Sequence, residues 1–448
     1  MTRVLVPSGA LGLGYDRAAL ARGIAMGPDI IAIDGGSTDS GPHYLGTGTS
    51  KYSRATTKAE WSELIAARAE AKCPLLLGTA GTCGSDSAVD WLLDITREIA
   101  AERDEKLKIA LLKSEQDGIA IARAFNDGRI NALPAAPEIT AQTFEKCTHI
   151  VALAGAEQIQ AALDTGADIV IAGRTTDTAV LSALPLRQNC HAGAVWHGAK
   201  VGECGALATT HSNTGVILLD FDEEGCTITP LAEGSAATPE TVSAHMLYEN
   251  SDPFTLYEPG GYLDTKGAKY QPVGNATRIT GSEWHATRPY TVKLEGARRA
   301  GFQTVSLVLV REPRYVANIR AWCADVEAKC TERAATRVAE PFTIELRLIG
   351  VDATLGPLEP TPKIGHEVGV LGIVTASDEA ASREVAKILN PYLLHHPLTE
   401  NEPMPTFAFP FSPPEMPRGE VYEFCLNHVL ELSDPMEAFR LEVVEVGP

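Results

Sequence analysis

With 448 residues the chain is too long for one ordinary domain, and two or three are expected at roughly 100–200 residues each. An apolar fraction of 44% supplies a sizeable core, while no window approaches about 18 uninterrupted apolar residues and the opening segment lacks the apolar core of a secretion signal, so neither a membrane span nor an export leader is expected. A formal charge of -20 argues against a nucleic-acid binder but not against a small anionic substrate, which Arg and Lys placed in a cleft would decide.

The first 180 or so residues alternate short apolar runs with amphipathic stretches. Strands are predicted at Val4–Val6, Ile30–Ile33, Leu75–Leu77, Ile109–Leu112, Ile150–Leu153 and Ile169–Ile171. Helices are predicted at Lys58–Ala71, Ser87–Arg103 and Ala156–Leu163. This pattern implies βαβ units, a parallel sheet and a Rossmann-like α/β domain over residues 1–185. Residues 186–300 are rich in glycine, proline and single aromatics. They read as short strands and long loops packed on that domain and completing its cleft.

From Thr304 the pattern changes. Val305–Val310 reads as a strand and Val316–Cys330 as a helix with Ile319, Trp322, Cys323 and Val326 on one face. Phe342–Ile349 and His366–Ala376 follow as strands and Ser377–Leu389 as a helix. The order implies a ferredoxin-like α+β domain over residues 301–448. Its tail from Pro391 to Pro414 is expected to be extended, with Val421–Leu432 and Phe439–Val446 as closing strands. Nine cysteines at irregular spacing, with no CxxC pair, read as reduced thiols of a cytoplasmic protein.

In open parallel sheets ligands sit beyond the carboxyl ends of the strands, and the chemically rich segments fall there. Asp34-Gly-Gly-Ser37-Thr38-Asp39-Ser-Gly-Pro-His43 follows the second strand. Its glycines and amides suit an anion, and its two carboxylates and His suit acid–base work or a metal. The plainer reading is a polar turn whose Asp and Ser bond the backbone. Gly78-Thr79-Ala-Gly81-Thr-Cys83-Gly-Ser-Asp86 feeds a helix N-terminus, a place for phosphate or carboxylate. It matches neither nucleotide-binding glycine pattern, so no nucleotide cofactor is expected. Cys83 is either a turn cysteine or a nucleophile.

Glu115 and Asp117 follow the fourth strand, facing the cleft or capping a helix. Arg174-Thr175-Thr-Asp177 places a guanidinium at a strand's carboxyl end, suited to anchoring a carboxylate or phosphate; alternatively Arg174 and Asp177 pair with each other. The central region adds His197, Glu203-Cys204, His245-x-x-Tyr248-Glu249, Tyr257-Glu258 and Lys293-x-Glu295. On a helix His245 and Glu249 share a face. Lys293 reads as a base, a Schiff-base former, an electrostatic clamp or one half of a surface pair with Glu295. There is no GxSxG elbow, which leaves out a serine hydrolase.

At these motifs the chain resembles the acyclic terpene utilisation AtuA family. The likeness is carried by DGGSTDSGPHYLG from Asp34, GTAGTCGSD from Gly78, SEQD from Ser114, AGRTTDTA from Ala172, ECGA from Glu203, HMLYENSDPFTLYEPGG from His245 and VKLEGA from Val292. It implies catabolism of branched acyclic terpenoids through CoA esters, or of small carboxylic acids, with a small partner subunit or appended domain. Cys83 stands where the resemblance implies a small residue or glycine, which speaks against a Cys nucleophile.

The acid, base and anion-anchor residue types lead to the expectation of a carbon–oxygen lyase, a hydratase or dehydratase on a small di- or tricarboxylic acid or its CoA ester. Arg174, Thr175, Asp177 and Tyr257, with Ser37, Thr38, Gly78, Thr79 and Gly81 in the loops, would hold the substrate. Lys293 would polarise a carboxylate, Glu249, Glu115 or His43 would be the base, and Asp34 or Asp39 would orient it or bind a divalent metal. The alternatives are an isomerase, a non-catalytic CoA-ester-binding subunit, and a metal-dependent hydrolase if Asp34, Asp39, His43 and Glu249 converge on one ion. A homo-oligomer is expected, with neither nucleic acid nor membrane as partner.

Overall fold

Continuous runs of branched apolar residues demand cover on both faces, which is what parallel strands between helices receive. The computed structural model describes residues 1–213, 215–361 and 363–448, and the runs appear there as β1 (Thr2–Val6), β2 (Ile30–Asp34), β3 (Leu75–Gly78), β4 (Leu107–Lys113), β5 (Ile130–Ala132), β6 (His149–Ala152) and β7 (Ile169–Ala172). β1, β2, β3, β7 and β4 lie side by side in that order, all parallel. Helices Arg54–Ala71 and Asp86–Arg103 bury Trp61, Leu64, Val89 and Ile95 against one face of this sheet. The opposite face packs Val4, Ala32, Leu76 and Val170 against Val180, Leu184 and Val195.

The central residues extend the sheet. β8 (Ile217–Phe221) pairs antiparallel with β1, and β9 (Gly225–Pro230) with β8. β10 (Thr255–Glu258) and β11 (Gly261–Asp264) form a hairpin in a separate sheet. β12 (Lys269–Val273) and β13 (Ala276–Thr280) finish the main sheet beyond β9, and β14 (Glu283–Ala286) pairs with β11. A helix that the sequence pattern did not suggest, Ala192–Gly202, runs buried among these elements. β15 (Tyr290–Val310) then carries the chain out of the first of two compact units, which comprises Met1–Arg298 and Phe424–Pro448.

The second unit is Arg299–Glu423. β16 (Phe342–Ile349) pairs with β17 (Val368–Ala376), which pairs with β15, all antiparallel. β18 (Glu415–Phe424) also pairs with β15. Helix Ile319–Ala335 buries the expected face of Ile319, Trp322, Cys323 and Val326. Helix Glu379–His395 runs through Pro391, where an extended tail was expected. Proline inside a helix costs about 3 kcal/mol, and burial of Val385, Leu389 and Leu393 outweighs it.

The chain returns to the first unit with β19 (His428–Leu432) and β20 (Arg440–Val446), so the predicted strand Val421–Leu432 is broken into two at Cys425–Asn427. β20 pairs antiparallel with β4 and closes that edge of the ten-stranded sheet. β6 is a strand as predicted but leaves the parallel sheet. It pairs antiparallel with the start of β15, and β7 takes its place beside β4.

The loop after β3 is held by a close approach of two main chains. Gly84, at φ +65°, accepts a hydrogen bond from Arg174 N at 3.0 Å, and a Cβ there would collide with the Arg174 backbone. Gly84→Ala combines left-handed strain of about 1–2 kcal/mol with that collision. It is expected to lower unfolding free energy by more than about 2 kcal/mol in urea titration.

Candidate functional site

The loops leaving β1, β2 and β7 surround a cavity of about 610 Å³, together with the segment after helix Ala192–Gly202 and the turn at Tyr248–Glu249. This lies at the carboxyl ends of the parallel strands, where a ligand belongs. Its wall carries five carboxylates, from Asp34, Asp39, Asp177, Glu203 and Glu249. The one lysine among the described lining residues is Lys51. Leu13, Leu207 and Tyr248 add partly exposed apolar surface.

Arg174 lies behind this wall. Its side chain is 7% exposed, and the guanidinium forms a fork with Glu295, Nε to Oε2 at 3.0 Å and Nη2 to Oε1 at 3.3 Å. Nη1 donates to Thr175 O at 2.8 Å and to Thr79 Oγ1 at 3.2 Å, and lies 3.4 Å from Asp177. Thr38 Oγ1 donates to Glu295 Oε2 at 2.9 Å. Burial opposes ionisation of Glu295, but Arg174 outweighs it and holds this carboxyl below the usual range.

The other carboxyl groups fare differently. Burial, reinforced by Asp177, holds Asp34 well above the usual carboxylate range despite Arg174 and the amides of Gly35 and Gly36. One of its oxygens, Oδ1, has no hydrogen-bond partner among the described residues. Burial also raises Asp177 and Glu249. Glu203 is pushed up to about 8 by burial, despite an ion pair with Lys200 and a 2.9 Å bond from Thr178. Burial lifts Glu258, which accepts from Thr176 at 2.5 Å, to about 7. The first cause is common to all: burial disfavours the charged form, and neighbouring carboxylates add to it while Arg174 and Lys200 only partly offset it.

Of the residues given a catalytic or substrate-holding role in the sequence, Asp34, Ser37, Asp39, Asp177 and Glu249 line the cavity, as do Glu203, Cys204 and Tyr248, which were noted there without such a role. Thr38, Thr79, Thr175 and Arg174 meet in the buried network behind it. Gly78 and Gly81 shape the loop: a Cβ on Gly78 would collide with Val180, and Gly81 sits at φ +62°. The remaining four do not line the cavity. His43 is exposed against Tyr44. Glu115 pairs with His149 at 2.6 Å and accepts from Asp86 N. Lys293 is 41% exposed, 3.5 Å from Glu295, and Tyr257 stands in solvent against Tyr262. The four groups considered for one metal therefore do not all meet: Asp34, Asp39 and Glu249 share the cavity and His43 does not.

One local expectation changes, and Cys83 takes the buried, non-nucleophilic place already favoured for it. His245 and Glu249 do not share a helical face, because the short helix ends at Leu247 and Glu249 adopts φ +53°. Cys83 is fully buried and its thiol is pushed up by burial, the setting of a structural rather than a reactive cysteine. The Pro7–Gly14 loop and Lys200 carried no weight in the sequence reading. The signal for the first was there: a glycine-rich turn directly after a buried strand.

The class defined by this architecture is a mixed α/β protein with an acid-lined cavity at the carboxyl ends of its parallel strands. Residues 80–401, more than two thirds of the chain, match the family described as acyclic terpene utilisation family protein AtuA, and the chain belongs to that family. No curated protein and no solved structure matches it significantly. None of the described helices is long and apolar enough to cross a membrane.

Arg174→Met leaves Glu295 buried without its counter-charge. This is expected to destabilise the fold by about 3–5 kcal/mol, whereas Arg174→Met with Glu295→Met recovers most of that loss, as read by denaturant midpoints. Glu258 gives a pH signature. Its folded-state value of about 7 lies above an unfolded value near 4.3, so its contribution to stability is present below about pH 4 and lost as pH rises through about 7. Glu258→Gln is expected to flatten the fall in melting temperature across that window.

Proposed function

We propose that the chain is a carbon–oxygen lyase, a hydratase or dehydratase, acting on a small carboxylic acid carried as its CoA ester. The observation that supports this most directly is the excess of carboxyl groups over cations around the cavity. Adjacent Asp34 and Asp177 are both raised, so one can hold a proton while the other is ionised. Dehydration needs that combination. An ionised carboxylate removes the proton α to the thioester, and a neutral carboxyl protonates the departing hydroxyl, which leaves as water. Hydration runs the same steps in reverse.

An acid wall disfavours a free carboxylate at the reacting end and accepts a neutral thioester carbonyl with hydroxyl or alkene. Leu13, Leu207 and Tyr248 suit a branched alkyl portion, and Lys51 suits the anionic remainder. Arg174 would then act through Glu295 and Asp177, setting the charge of the wall rather than gripping the substrate. The nine cysteines, none of them in a disulfide, fit a reducing cytoplasm. Self-association and a small partner subunit belong to the same reading.

The test is turnover of branched 3-hydroxyacyl-CoA and 2-enoyl-CoA esters in ¹⁸O-labelled water. Incorporation of solvent oxygen into the hydroxyacyl product is expected. Asp177→Asn should lower kcat by about 10²–10⁴, and His43→Ala and Tyr257→Ala should leave it within a few-fold. Absence of both turnover and a thermal shift with any ester would overturn the enzyme reading in favour of a binding subunit.

A further inference from the structure

At the cavity wall stands a second kind of donor set, of which two members line the cavity and the third lies buried. Glu203 ends the buried helix Ala192–Gly202 as its C-cap, and Cys204 follows it. His245 comes from the turn after helix Pro239–Ala244 and is 5% exposed. A carboxylate oxygen, a thiol sulfur and a ring nitrogen from these three residues all lie within 4.8 Å of one another. We propose that Glu203, Cys204 and His245 bind one divalent cation of borderline softness, of the zinc or cobalt kind, with a free coordination position open to the cavity.

Four observations carry the assignment. The separation is close to that of a formed site, since ligands 2.0–2.3 Å from a tetrahedral ion stand about 3.3–3.8 Å apart. Mixed S, N and O donors suit zinc or cobalt and not magnesium or calcium, which take oxygen. His245 Nε2 is buried without a hydrogen-bond partner among the described residues, an unmet polar atom that otherwise weakens the fold. The His245 ring is stacked on Tyr248 with centroids 5.2 Å apart, so its orientation is fixed before any ion arrives.

Glu203 and Cys204 line the cavity, which places the free position on the substrate side. Three protein ligands with one open place is the pattern of catalytic rather than structural zinc. Lys200 pairs with one Glu203 oxygen and Thr178 donates to the other, and each oxygen retains a further lone pair. The repulsion from Lys200 is offset by the carboxylates of Asp177 and Glu249, which act on Cys204. On binding, the Cys204 S–H bond breaks, its proton leaves to solvent and the thiolate electron pair goes to the metal.

The experiment is a Co²⁺ titration of the full, metal-stripped chain followed by absorbance. A thiolate-to-cobalt charge-transfer band saturating at one equivalent, displaced by Zn²⁺, is expected. Cys204→Ser should abolish the band and His245→Gln should weaken cobalt binding at least tenfold, in variants whose melting curves show them folded. No charge-transfer band in the wild-type chain at excess Co²⁺, or a band that survives Cys204→Ser, overturns the site. This readout is independent of turnover. Failure of the metal site would leave the proposed hydration unaffected, and failure of turnover would leave the metal site standing.

Discussion

The fork between Arg174 and Glu295 organises everything around the cavity. Two charges are removed from water, which is costly unless each is satisfied on several sides. Here one guanidinium reaches Thr79 after β3, Thr175 and Asp177 after β7, and Glu295 on β15, while Thr38 after β2 completes the carboxylate. Loops after three separate strands are thereby fixed, with β15, to one charged centre. The same fork uses up positive charge. With Arg174 bound to Glu295, burial raises the carboxyl groups of Asp34 and Asp177 at the cavity, and the nearby guanidinium only partly offsets it.

Two kinds of group thus stand side by side at the cavity wall. Carboxyl groups held neutral need a dry, crowded setting. A His, Cys and Glu cluster close enough to share an ion needs fixed geometry. The buried helix Ala192–Gly202 helps to supply both, since Lys200 and Glu203 lie on its last turns and Cys204 directly after it. Gly198 permits this helix to lie against Cys226 and Phe221, where a Cβ would collide.

What the sequence revealed follows from range. Buried runs such as Ile30–Ile33 and Ile169–Ile171 announce strands because the pattern is local, and the loops after them drew attention to Asp34, Asp39 and Asp177. Pairing partners are not local. Nothing in residues 149–172 says that β6 leaves for β15 while β7 lies beside β4. Arg174 looked like a ligand anchor because its partner lies 121 residues further on. Ala192–Gly202 read as irregular because its glycines, at 193, 198 and 202, are packing contacts rather than breaks. His245 and Glu249 were linked by a helical spacing that the backbone abandons at Tyr248. The likeness of whole motifs to a known family was legible where their individual contacts were not.

The first unit is built from two stretches of chain separated by the whole of the second. During synthesis from the N-terminus, the strands that frame the cavity emerge early, yet the edge of β4 stays bare until β20 has been made. The second unit, contiguous in sequence, is finished before that strand exists. An uncovered sheet edge is a template for wrong partners, so the interval before residues 440–446 leave the ribosome is when this protein is most exposed to aggregation. Arg440, which then bonds Asp86 and the Glu115 carbonyl, is the latch that ends it.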